Sequence, residues 1–146
     1  MPPLIKPYEI KISDVKLNRL QQKLALTDFS SLDDLKPTHG IKAHLSMKSK
    51  VEARLNKLPQ FITSIDISNL GAFDVHFVYK KITQPNAIPL LFLHGWPGSF
   101  YEVSRIVDAL AEGDGNGAPS FHVVAPSLID FGFSSASKAF NSSTTP

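Results

Sequence analysis

The sequence predicts an α/β fold in which a β-hairpin and one βαβ unit follow a helical and extended N-terminal arm. Three observations carry that expectation. Apolar residues recur at helical spacing before Pro59 and alternate after it. The apolar segment Pro89-Leu90-Leu91-Phe92-Leu93 then runs straight into His94-Gly95-Trp96-Pro97-Gly98, and a second apolar segment, Phe121 to Ala125, returns after one helical stretch. A chain of 146 residues that is 42% hydrophobic and 19% charged is enough for one core-burying domain.

Composition narrows the chemistry. With Cys 0 there is no disulfide framework, thiolate metal site or cysteine nucleophile. The net charge of +2 argues against a nucleic-acid surface, although residues 1–57 carry 11 basic and 6 acidic groups against 4 and 7 in the remainder. That basic excess is scattered among apolar positions and reads as a solvated face. The longest apolar run, Ile88 to Leu93, is far below the ~18 residues of a membrane span. Met1-Pro2-Pro3-Leu4-Ile5-Lys6-Pro7 has no secretory apolar core, so the expected compartment is the cytoplasm.

Pro2 to Ile12, with three prolines and isolated apolar residues, is expected to lie extended along another element. Ser13 offers an N-cap to a helix with Leu17, Leu20 and Leu24 on one face, ending near Ala25. After the turn-rich Asp28 to Gly40, Ile41, Leu45, Val51, Leu55 and Leu58 give a second helix its apolar face, and Pro59 stops it. The hairpin follows: Ile65 and Ile67, a turn at Asn69-Leu70-Gly71, then Phe73, Val75, Phe77 and Tyr79 on one face. Gln84-Pro85-Asn86 turns into the 89–93 strand, whose unbroken apolarity suits the buried middle of a parallel sheet. Ser99 with Glu102 forms a capping box for a helix whose inner face is Phe100, Val103, Val107 and Leu110. Glycine ends that helix at 113. After the 113–117 loop, strand 121–125 closes the βαβ unit, parallel to the first strand. The expected division is an arm at 1–60, a sheet region at 61–133 and a disordered Ser/Thr-rich tail at 134–146.

Ligands of open α/β sheets bind beyond the carboxyl ends of strands, where His94 to Gly98 sits. Gly95 and Gly98 let backbone approach a ligand, Trp96-Pro97 is a candidate cis bond, and fixed N–H donors there suit an oxyanion. The same residues would also serve as a tight strand-to-helix turn with no chemistry.

The hexapeptide His94-Gly95-Trp96-Pro97-Gly98-Ser99 resembles the HGxP oxyanion loop of the microsomal-type epoxide hydrolases, members of the α/β-hydrolase superfamily. Glu52 to Phe61 and Ile65 to Phe77 resemble that family's N-terminal domain, and Phe121 to Leu128 with Gly132-Phe133-Ser134 resembles the strand and loop after the first sheet-covering helix. The resemblance implies a partial α/β-hydrolase fold and hydrolysis of a hydrophobic epoxide to a vicinal diol, without cofactor or metal. In the family an aspartate on a nucleophile elbow forms an alkyl-enzyme ester, cap-domain tyrosines polarise the epoxide oxygen, and a histidine-activated water hydrolyses the ester. By position, the backbone N–H of Trp96 is the implied oxyanion donor, with His94, Gly95, Pro97 and Gly98 shaping the loop.

The sequence also departs from the family. An elbow reads Gly-x-nucleophile-x-Gly; only Gly113 and Gly117 have that spacing, and their centre is Gly115. The resemblance implies that the nucleophile, relay acid, base and cap tyrosines all lie beyond residue 146, so they are expected to be absent here and the chain alone inactive. Ile129-Asp130 stands where the family usually has Pro-Gly. The alternative function is a non-catalytic fragment or interaction module, whose arm and sheet edge would bind a partner chain; the unfinished sheet edge is also expected to self-associate. His39 and His44 read as surface histidines, His76 and His122 as structural ones, and Asp130 as a loop cap.

Overall fold

A computed structural model describes residues 3–26, 48–113 and 117–137. These residues form two compact units, 10–57 and the combination of 1–9 with 58–146. The second carries a five-stranded mixed sheet ordered β1-β2-β3-β5-β4, from β1 (Lys6–Pro7), β2 (Gln60–Ile67), β3 (Gly71–Lys80), β4 (Ile88–Leu91) and β5 (Phe121–Pro126). All neighbouring pairs are antiparallel except β4 and β5, which are parallel.

The extended N-terminal residues do find a partner, because Lys6 pairs with Ile62 and the Tyr8 N–H donates to the Gln60 carbonyl at 2.9 Å. The hairpin also forms where the alternation placed it. Ile67 pairs with Gly71 across a turn in which Asn69 (φ 69°) and Gly71 (φ 87°) take left-handed conformations that asparagine and glycine tolerate. His76 and Val78 are fully buried on one side of β3, whereas Val75, Phe77 and Tyr79 lie on the other.

Two expectations need correction. The 89–93 segment is not a buried central strand: β4 is the edge of the sheet among the described residues, with Leu91 62% exposed. Apolarity of both faces implies cover, but the chain returns to place β5 between β3 and β4, so β5 takes the central position. The helix after the loop is not continuous either. A 3-10 helix over Phe100–Arg105 gives way at Ile106 to α3 (Val107–Glu112). The buried residues Phe100, Val103, Val107 and Ala111 still form one stripe against the sheet, with Ala111 in the place expected of Leu110. Gly113 (φ 68°) ends α3 by donating its N–H to the Ala109 carbonyl.

The 10–57 unit contains α1 (Asp14–Ala25) and α2, helical over 48–55. Its ordering device is polar. Asn56 accepts from the Ile10 N–H at 2.8 Å through Oδ1 and donates through Nδ2 to the Ile10 carbonyl at 2.9 Å. One turn earlier Glu52 accepts from the Ile12 N–H at 2.7 Å, and Lys48 pairs with Asp14 at 3.0 Å. Positions 48, 52 and 56 share one helix face, so this face binds the extended segment while Val51, assigned to the apolar face, is 45% exposed. Ile41 and Leu45 lie outside the described residues, as do His39 and His44.

Ser134 and Ser135, expected in the disordered tail, are bonded into the sheet unit. The Ser134 hydroxyl donates to the Ser127 carbonyl at 2.7 Å and accepts from the His76 N–H, and the Ser135 hydroxyl accepts from the Asp74 N–H. Residues 138–146 lie outside the described residues.

Candidate active-site loop

Strand β4 ends in a tight turn. The Gly98 N–H donates to the Gly95 carbonyl at 2.8 Å, and the Trp96–Pro97 bond is cis, which makes Gly95 to Gly98 a type VI turn with proline at its third position. Gly98 is required by a close approach. A Cβ there would lie 1.5 Å from the Glu102 carboxylate and 2.9 Å from the Gly95 carbonyl oxygen. Ser99 caps the following 3-10 helix by accepting from the Tyr101 N–H.

Trp96 is 86% exposed, and its backbone N–H has no hydrogen-bond partner among the described residues. His94 is buried and acts as the loop's anchor. The Leu128 N–H donates to His94 Nε2 at 3.1 Å, so the proton resides on Nδ1, which donates to the Gly95 carbonyl at 3.2 Å. Phe131 stacks edge-on against the imidazole at 5.3 Å. The five residues singled out by sequence therefore occupy one turn, and that turn is tied to residues 128–131 after β5. Its chemical capacity is a fixed, unpartnered N–H at a strand's carboxyl end.

A second polar cluster lies beneath. His76 Nε2 donates to Gln60 Oε1 at 2.9 Å, which leaves Nδ1 to accept from the Ser127 hydroxyl, also at 2.9 Å. Serine, histidine and an orienting acceptor have the connectivity of a nucleophile and its base. Burial decides against that role, because all three are at most 4% exposed and the rings of Tyr8, Phe100 and Phe133 enclose the imidazole. Desolvation lowers the His76 pKa from 6.5 to about 4, so the ring is neutral and structural, as its place on the strand suggested. Sequence reasoning missed Gln60 and Ser127; neither position carries a periodicity or motif that marks a hydrogen-bond partner 16 or 51 residues from His76.

Asp130 is the loop cap expected of it. Its carboxylate accepts from the Ser137 N–H at 2.6 Å, and its backbone is left-handed (φ 72°), a conformation that aspartate tolerates. His122 accepts from the Ile82 N–H through Nδ1. No cluster of metal-ligating side chains occurs among the described residues.

Comparison with known proteins gives the family of the chain. The family model "Epoxide hydrolase N terminus" matches residues 5–103, which include the whole turn. The chain belongs to the epoxide hydrolase family. It is 33% identical over 160 aligned residues to epoxide hydrolase 1 of Sus scrofa, covering 94% of this chain and 34% of that protein. Among solved structures, the Aspergillus niger epoxide hydrolase is 30% identical with a TM-score of 0.60, over 93% of this chain and 37% of that one. The juvenile hormone epoxide hydrolase of the silkworm Bombyx mori shares the fold at a TM-score of 0.69 and 24% identity, with 35% of that chain covered. This epoxide hydrolase family chain thus spans about a third of the relatives' length and corresponds to part of their α/β-hydrolase fold. No described helix is long and apolar enough to cross a membrane.

Proposed function

We propose that the 94–98 turn is the oxyanion loop of an epoxide hydrolase acting on a hydrophobic epoxide, and that the Trp96 N–H is its donor. The observation that carries this reading is the Trp96 amide itself, unpartnered in a turn anchored by His94 at the carboxyl end of β4. Water attack on an alkyl-enzyme ester places negative charge on the ester oxygen, and a preorganised donor stabilises it by roughly 2.7–4 kcal/mol. The turn cannot open the epoxide, which needs a nucleophile that no Gly-x-Asp-x-Gly turn of this sequence supplies. The chain alone therefore produces no diol from styrene oxide above the uncatalysed rate.

The positive test joins the chain to the part of the Aspergillus niger enzyme that the structural match leaves uncovered. Diol formation is expected, and replacing the Trp96 peptide N–H by an ester oxygen slows hydrolysis of the alkyl-enzyme about 100-fold or more. An unchanged rate would overturn the donor assignment.

A second reading, an interaction module, draws on the open sheet. Parallel pairing turns the backbone of Ile88, Leu90 and Phe92 towards β5, which leaves Leu91 and Leu93 with backbone groups on the free edge. Beside it, Ile5, Ile65, Phe77, Tyr79, Leu91 and Val124 line an apolar groove of about 750 Å³. Self-association through that edge predicts a sedimentation coefficient that rises with concentration. A concentration-independent monomer would remove this reading.

A further inference from the structure

The His76 cluster and the 94–98 turn are separate in sequence but joined by two adjacent residues. Both donors of Ser127 go to His76: its hydroxyl donates to Nδ1 at 2.9 Å and its N–H donates to the His76 carbonyl at 2.8 Å. The next residue, Leu128, donates its N–H to His94 Nε2. A second route reaches the same imidazole from the other side of the turn, where Phe100, just after the Ser99 cap, packs edge-on against His76 at 4.7 Å. Both flanks of the turn therefore lead to one buried ring. Gly132 keeps the first route tight, since a Cβ there would meet the Ser127 hydroxyl at 2.6 Å.

We propose that Ser127 and His76 are positioning residues for the oxyanion loop, acting through the Leu128 N–H to hold His94 in its Nδ1-protonated form. This rests on the reading of the turn as an oxyanion loop. The physical reason is register. The Leu128 N–H can meet Nε2 only if residue 127 is fixed, and Ser127 is held to His76 by one hydrogen bond to its backbone carbonyl and one to its ring, which cannot itself move because Gln60, Tyr8, Phe100 and Phe133 surround it. Without that lock, residue 128 would drift, His94 would lose the acceptor role that selects its tautomer, and Nδ1 would no longer be obliged to hold the Gly95 carbonyl.

The test uses the chain as it is, labelled with ¹⁵N, and the Ser127→Ala variant. Ring nitrogen shifts report the His94 tautomer, and amide exchange reports Leu128. The expected result is a change from a single Nδ1–H tautomer to a mixture, with Leu128 exchange faster by about tenfold, while amides of the β2–β3 hairpin keep their protection. Ser127→Cys, which keeps the shape but weakens the donor, gives the same change to a smaller degree and carries the test if the alanine variant fails to fold. An unaltered His94 tautomer in the folded variant would overturn the proposal, and so would a uniform loss of protection without a tautomer change. None of these readouts depends on turnover. Failure here is thus distinguishable from failure of the oxyanion reading, which the ester substitution at the Trp96 amide detects independently.

Discussion

Acid should destabilise this chain through His76. His76 is fully buried and neutral, with its pKa lowered from 6.5 to about 4 by desolvation. In the unfolded chain the imidazole recovers the ordinary value, so between about pH 6.5 and pH 4 the unfolded state binds more protons than the folded one. Stability then falls as pH falls through that window and is independent of His76 above it. By pH 4 the loss is about 3 kcal/mol, the cost of deprotonating the imidazole on folding at that pH. The other titratable group against the ring is Tyr8, at 5.1 Å; burial raises its pKa, so it stays neutral throughout. Urea denaturation followed by far-ultraviolet circular dichroism at pH 7.5, 6.5, 5.5 and 4.0 measures the effect. The control is His76→Gln, less stable at neutral pH but without the proton linkage. Its stability should decline with acid by about 3 kcal/mol less than that of the natural chain. Parallel declines would refute the reasoning, as would a His76 titration near 6.5 in the folded protein.

Three further outcomes follow from local geometry. Gly132→Ala meets both a left-handed backbone (φ 55°) and the Ser127 hydroxyl, whereas Gly71→Ala meets only a left-handed backbone in open space; denaturation should show a loss of about 2–3 kcal/mol for the first and about 1 kcal/mol for the second. Asn56→Ala removes both bonds to Ile10 and should cost about 1–2 kcal/mol, read as faster exchange of the Ile10 amide. Trp96→Ala removes an exposed side chain and should change stability by less than about 0.5 kcal/mol. In the fused enzyme it should leave turnover largely intact, because the proposed donor is backbone; a hundredfold loss would point to the indole instead.

The local rules read well wherever the signal was local. Alternation located the hairpin, and the Asn69 and Gly71 turn chemistry located its bend. The strand-to-turn transition at Leu93-His94 located the loop with no help from packing. Where an element's role depended on its neighbours, the same rules erred. Its composition puts the apolar β4 in the middle of a sheet and the fold puts it at an edge, since apolarity records a preference for cover and not which strand provides it. Apolar spacing turns Val51 inward, yet the face of α2 that binds residues 10–12 is the polar one. A pattern of apolar spacing has no term for a side-chain amide that pairs with a backbone segment.

The site divides along the same line. Its residue types, its turn and its family were legible in six consecutive residues, because glycine, proline and a strand terminus restrict backbone geometry over a few bonds. How the turn is held was decided only in three dimensions. His94, Leu128, Ser127, His76 and Gln60 come from four separate stretches of chain, and hydrogen-bond partners chosen across a folded sheet leave no periodic trace in the sequence that encodes them.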